Sequence, residues 1–224
     1  MKAKSKTRKN SFLFRNSLTI AFILLFLFSI TGQAISGWKE HNEFLSDKGQ
    51  AHLSFSTYMV SPHFIQATFE NWESEFLQMA LFVVLAIWLR QKGSSESKPL
   101  GGDEDVDKKP KAKANSPWPV KKGGIILKIY EHSLSIALFL LFVLSFLMHW
   151  YGSVKEYNIE QVLEHKPTAK PLEYLGMPRF WFESFQNWQS EFLSVAAIIF
   201  LSIYLRQKGS PQSKPVNAAY VEDE

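Results

Sequence analysis

No cysteine occurs anywhere in the 224 residues. Its absence excludes disulfides, thiolate catalysis and cysteine-based zinc sites, and leaves the loops without covalent staples. A glycine-rich phosphate loop, a nucleophile elbow and a paired-histidine zinc motif are missing as well. With no catalytic constellation in view, an enzyme is not expected. The histidines do not assemble into a site either. His41, His52 and His63 fall at positions where an internal repeat (described below) carries Tyr157, Thr168 and Arg179, and His149 stands opposite Gln33. No metal and no cofactor are expected from them.

Long apolar runs are scarce in two places where membrane helices are otherwise suggested. Residues 76–89 form a run of 14, apolar except for Gln78. It rises about 21 Å at 1.5 Å per residue, against a hydrocarbon core of about 30 Å. The second copy, 192–205, is equally short. Both follow a carboxylate directly, Glu75 and Glu191. The runs 17–35 and 133–150 are longer. A mean hydropathy of −0.10 averages these runs with charged tails, so the local pattern decides the class.

What is present is a repeat without a gap. A shift of 116 residues aligns "SLTIAFILLF" at Ser17 with "SLSIALFLLF" at Ser133, and "NWESEFL" at Asn71 with "NWQSEFL" at Asn187. It also pairs Lys39, Glu40 and Asn42 with Lys155, Glu156 and Asn158, and Tyr58, Pro62 and Phe64 with Tyr174, Pro178 and Phe180. The chain thus reads as a duplicated two-helix unit. The basic start and first apolar run resemble a secretory signal. Because the same run recurs at Ser133, it is expected to stay as a membrane helix.

Each unit has two crossings, so both copies share one orientation, as parallel repeats about an axis along the membrane normal do. Of the 25 basic residues, 19 lie in the N-terminal tail, the central linker and the C-terminal tail, while 12 of the 21 acidic residues lie in the two remaining loops. The positive-inside rule therefore predicts cytoplasmic termini. The expected organisation is a basic tail over 1–16 and a first repeat over 17–92, with spans at 17–37 and 72–90. A flexible charged linker at 93–128 follows. The second repeat is 129–208, with spans at 133–151 and 188–206, and a tail occupies 209–224.

Ahead of each short span, apolar residues spaced 4, 3, 4 predict an amphipathic helix over 62–75 and 178–191, with Pro62 and Pro178 at its first turn. Its polar face carries Asn71, Ser74, Glu75 and Gln78 in one copy and Asn187, Ser190, Glu191 and Ser194 in the other. Two readings of this candidate polar site stand side by side. Glu75 and Glu191 sit separately near the headgroups, where a helix N-terminus favours anions. Alternatively they meet in a shared cleft that binds a cation or proton. Trp72 and Trp188 fit the aromatic belt, and Arg90, Lys92, Arg206 and Lys208 fit interface anchors ahead of a capping glycine.

The doubled pair "NWxSEFL" and "LRQKGSxxSKP" resembles a family of small bacterial membrane proteins known only as a domain of unknown function. The resemblance covers nearly the whole chain. It implies a multi-pass protein of the bacterial cytoplasmic membrane and supplies no substrate, cofactor or active residue. The expectation is an all-α integral membrane protein of four transmembrane helices, N-in and C-in. Its role is expected to be non-enzymatic, structural or interactive, with a small transporter or channel using Glu75 and Glu191 as the alternative. Its partners are the lipid bilayer and a protein partner or second copy, with no nucleic acid.

Overall fold

The computed structural model describes residues 12–102 and 104–220. Most of the basic 1–16 tail and the last four residues of the C-terminal tail lie outside the described residues. Among those described the chain is all-α, with no strand. The elements are α1 Phe12–Arg15, α2 Ser17–Asp47, α3 Phe55–Tyr58, α4 Pro62–Leu85, α5 Trp118–Lys122, α6 Gly124–Glu131, α7 Ser133–Leu163, α8 Pro171–Tyr174 and α9 Pro178–Tyr204, with a 3-10 turn at Asp105–Asp107. Under the offset of 116 residues, α2 and α7 begin and end at equivalent positions, as do α3 and α8; α4 and α9 begin equivalently.

Among the described residues two helices, α2 and α7, are long and apolar enough to cross a membrane. At 31 residues each they reach about 46 Å, well beyond a hydrocarbon core. Only 6% and 17% of their most apolar windows are covered by the rest of the protein. Leu18, Phe22 and Phe28 are 71%, 65% and 79% exposed, as residues that meet lipid rather than a protein core would be.

The helices do not stop where the expected spans do. Both long helices continue past 37 and 151, as their polar C-terminal turns pack against the following loop. α4 ends at Leu85 and α9 at Tyr204, short of 90 and 206. The cause is local. Arg90 Nη1 donates to the carbonyls of Ala86, Ile87 and Leu89, and Arg206 Nη1 donates to those of Ser202, Ile203 and Leu205. The side chain thus takes carbonyls that a longer helix would have used. Gly93 and Gly209 have positive φ of 86° and 87°, but in turns beyond the helix rather than at its cap. The linker is not featureless, since α5, α6 and the 3-10 turn lie in or against it.

The chain divides after Phe64 into two compact units. In the first, Ala34, Tyr58 and Phe64 form a small core with Ile30, Trp38 and Met59 against it. Asn42 clamps the loop after α2, donating to the Leu53 carbonyl at 3.1 Å and accepting its N–H at 2.7 Å. In the second, the core is Val154, Ala169, Tyr174 and Phe180. Asn158 repeats the clamp on Ala169, at 3.0 and 2.8 Å. One side chain thus satisfies both backbone polar groups of a loop residue, which helices alone cannot reach.

α2 and α7 end the same way. Gln50 N donates to Leu45 O at 2.8 Å, and Lys166 N to Gln161 O at 2.8 Å. Such a reversal needs a left-handed residue just past the helix. Gly49 fills it in one copy, at φ 69°, but His165 fills it in the other, at φ 55°. A side chain there costs about 1–2 kcal/mol, offset in part by the greater chain entropy that glycine loses, about 0.5–1 kcal/mol. His165→Gly should therefore gain on the order of 0.5 kcal/mol in mixed-micelle unfolding; a clear loss would mean the imidazole holds the turn by a contact instead.

Candidate functional site

Within the second unit, α4, α7 and α9 converge on one polar centre. α7 is apolar for its first four turns, and its polar stretch begins at His149, the first ionisable residue after the helix start. α4 brings Glu70 and Glu73, one turn apart on one face. α9 brings Glu183 from its second turn.

His149 and Glu73 are both at 0% exposure. Their side chains meet through Nδ1 and Oε2 at 2.6 Å. An ionised carboxylate can only accept, so Nδ1 carries a proton; in the neutral imidazole Nε2 keeps its lone pair, and in the imidazolium it carries a second proton towards Glu183 and Glu70. The other oxygen of Glu73 accepts the indole N–H of Trp188 at 2.9 Å. Glu73 is thereby fixed on both sides. The His149 ring stacks on Phe180, with centroids 4.8 Å apart and planes 25° apart, which fixes the imidazole plane.

The far nitrogen has a different setting. Nε2 of His149 is buried and has no hydrogen-bond partner. It faces Glu183 Oε2 at 3.5 Å and Glu70 Oε2 at 3.9 Å. Buried polar atoms are nearly always bonded, so an orphan between two carboxylates calls for a reason. One ligand atom from each of Glu70, His149 and Glu183 lies within 4.8 Å of the others.

The surroundings supply little positive charge. Arg179 donates from Nε to Glu183 Oε1 at 3.1 Å, and its two terminal nitrogens go to Glu160. These contacts raise the guanidinium further above its ordinary value, Glu160 contributing most. Ser153 Oγ donates to Glu183 Oε2 at 3.3 Å. Glu70 lies ahead of the expected span. Burial pushes its carboxyl up to about 7; His149 and the Asn187 amide oppose the rise, and the charges of Glu183 and Glu73 add to it. Three carboxylates thus share one imidazole and part of one guanidinium.

The residues singled out from the sequence lie below and beside this centre. Glu75, exposed, and Glu191, half-buried, interact carboxyl to carboxyl. Asn187 donates to the Glu183 carbonyl at 3.1 Å, and its amide lies beside the Glu70 carboxyl and opposes the rise in its pKa, so it adjoins the centre. Asn71, Ser74, Ser190 and Ser194 spend their donors on carbonyls of their own helix, at 2.7–2.8 Å. Gln78 lines a mostly apolar cleft of ≈ 520 Å³ with Leu81 and Phe82 of α4 and Phe192 and Val195 of α9. Trp72 is half-buried with its ring edge on Phe69 at 5.0 Å, whereas Trp188 serves the centre. Lys92 and Lys208 are exposed.

Glu70, Glu73, His149 and Glu183 do not stand out as a group in what the two copies share. In the other copy these positions are Gln186, Gln189, Gln33 and Ala67. Every member of the centre is charged or titratable in one copy and neutral in the other. That contrast was the available signal.

A family model described as a domain of unknown function, DUF6766, matches residues 9–223. The chain belongs to the DUF6766 family. No curated protein and no solved structure matches it. For this DUF6766 chain, the chemistry of the centre is what bears on function.

Proposed function

We propose that the chain is a multi-pass membrane protein that takes up a cation at the centre formed by Glu70, Glu73, His149 and Glu183. One observation carries this reading, the orphaned Nε2 of His149 held between two carboxylates with no exposure of the ring. Ionisable groups at membrane depth are costly and face partners or pathways. His149 lies 16 residues into α7, about 24 Å along its axis, at the end of the apolar run away from the basic linker. In a hydrocarbon core of about 30 Å the centre falls near that margin. α2 and α7 supply the long crossings, and α4 and α9 the shorter ones lengthened by polar turns.

This moves the cation site from the Glu75 and Glu191 pair to a group one to two turns away. The test is thermal unfolding of purified protein in detergent, with protons, sodium, magnesium, manganese or zinc as the varied cation. At least one should stabilise the parent by several degrees. The effect should vanish in the variant Glu70→Gln, Glu73→Gln, His149→Gln, Glu183→Ala, which copies the neutral set of the other repeat. An equal response in parent and variant would discard the proposal.

A further inference from the structure

We infer that Glu70, His149 and Glu183 are the ligand set of a first-row divalent transition-metal ion, with Glu73 as the outer carboxylate that orients the histidine. This rests on the cation-binding reading above and names the cation.

The separations suit it. Two atoms each about 2.1 Å from one metal lie about 3.4 Å apart at a tetrahedral angle. Nε2 stands 3.5 Å from Glu183 Oε2 and 3.9 Å from Glu70 Oε2, and the three ligand atoms fall within 4.8 Å of one another. Small side-chain rotations close the remainder. The lone pair needed on Nε2 is the one left by the bond from Nδ1 to Glu73, 2.6 Å long. A metal-bound histidine commonly donates its other N–H to a carboxylate, which raises its basicity and sets its ring. Trp188 holds Glu73, and Phe180 holds the ring plane.

Charge points the same way. A dication balances the two ligating carboxylates in surroundings where Arg179 is shared with Glu160. The imidazole selects among dications. Nitrogen with two carboxylate oxygens suits manganese, iron(II) or zinc, whereas magnesium prefers all-oxygen octahedra with several waters. Three protein ligands leave at least one position for water or an incoming group, which suits an exchangeable site over a closed structural one.

The test uses the full chain in detergent, stripped with a chelator and titrated separately with zinc and manganese, with magnesium as control. Expected is about one zinc or manganese bound per chain, with magnesium failing to compete at a large excess. Bound manganese should show nitrogen coupling from one imidazole in pulsed electron paramagnetic resonance, a readout that needs no variant. Glu73→Gln should weaken binding about 10–100-fold, and Glu70→Gln or Glu183→Gln should abolish stoichiometric uptake. Should those variants misfold, the imidazole coupling in the parent decides alone. Absence of that coupling, or substoichiometric uptake by the parent, would overturn the metal assignment. Stabilisation by protons or sodium without divalent uptake would remove the metal and keep the cation-binding reading; no response to any cation would remove both.

Discussion

His149→Ala should destabilise the metal-free protein by about 3–5 kcal/mol, the range for breaking a buried charge network from one side. The imidazole is fully buried against an equally buried Glu73, with Glu70 and Glu183 on its other face. Removing it leaves three carboxylates with no partner beyond Trp188, Ser153, Asn187 and a divided Arg179. The neutral set Glu70→Gln, Glu73→Gln, His149→Gln, Glu183→Ala should instead stay within about 1–2 kcal/mol of the parent, because replacing a whole buried ion network by neutral groups is often close to neutral. Unfolding in mixed micelles measures both. If the single change were no worse than the fourfold one, the centre would not be a coupled electrostatic unit.

Gly152→Ala should lower stability by about 1–3 kcal/mol, the usual cost of overpacking. Gly152 lies one turn beyond His149 on α7. A Cβ there would come 2.6 Å from the backbone nitrogen of Gln66 and 2.9 Å from its Cα. Backbone cannot swing aside as a flexible side chain can, so α7 and α4 would have to part where they hold the centre. The sign is diagnostic, since glycine to alanine inside a helix ordinarily gains about 1 kcal/mol. Gly32 in α2, with nothing within 4 Å of its would-be Cβ, provides the contrast, and Gly32→Ala should stabilise. Metal uptake by Gly152→Ala should weaken in parallel. A stable Gly152→Ala protein would mean the two helices do not approach so closely.

Much of the helical framework was legible because its signals are local. Pro62 and Pro178 mark helix starts through their fixed φ, and the apolar runs mark the two longest helices. Helix ends were harder to place, because they depend on which donor captures the last carbonyls. Arg90 and Arg206 do so by reaching back three and four residues. The centre itself was not legible from periodicity. Glu70 and Glu73 are 76 or more residues from His149 in sequence, and only the packing of α4, α7 and α9 brings them together. Asn187 was singled out for its polar face and does contact Glu70. Glu75 and Glu191 share that face, yet lie outside the group around His149.

The centre draws Glu70 and Glu73 from the first sequence copy and His149 and Glu183 from the second. Neither half of the chain owns it. A single unit pairing with itself obeys twofold symmetry, so whatever it builds from both partners away from the axis it must build twice. Joining the halves in one polypeptide lifts that obligation. One copy keeps the acids on α4 while the other keeps the imidazole, and the mirrored positions relax to glutamine and alanine. Covalent fusion thereby sets the stoichiometry at one centre per chain, a ratio no self-paired single unit can hold off its axis.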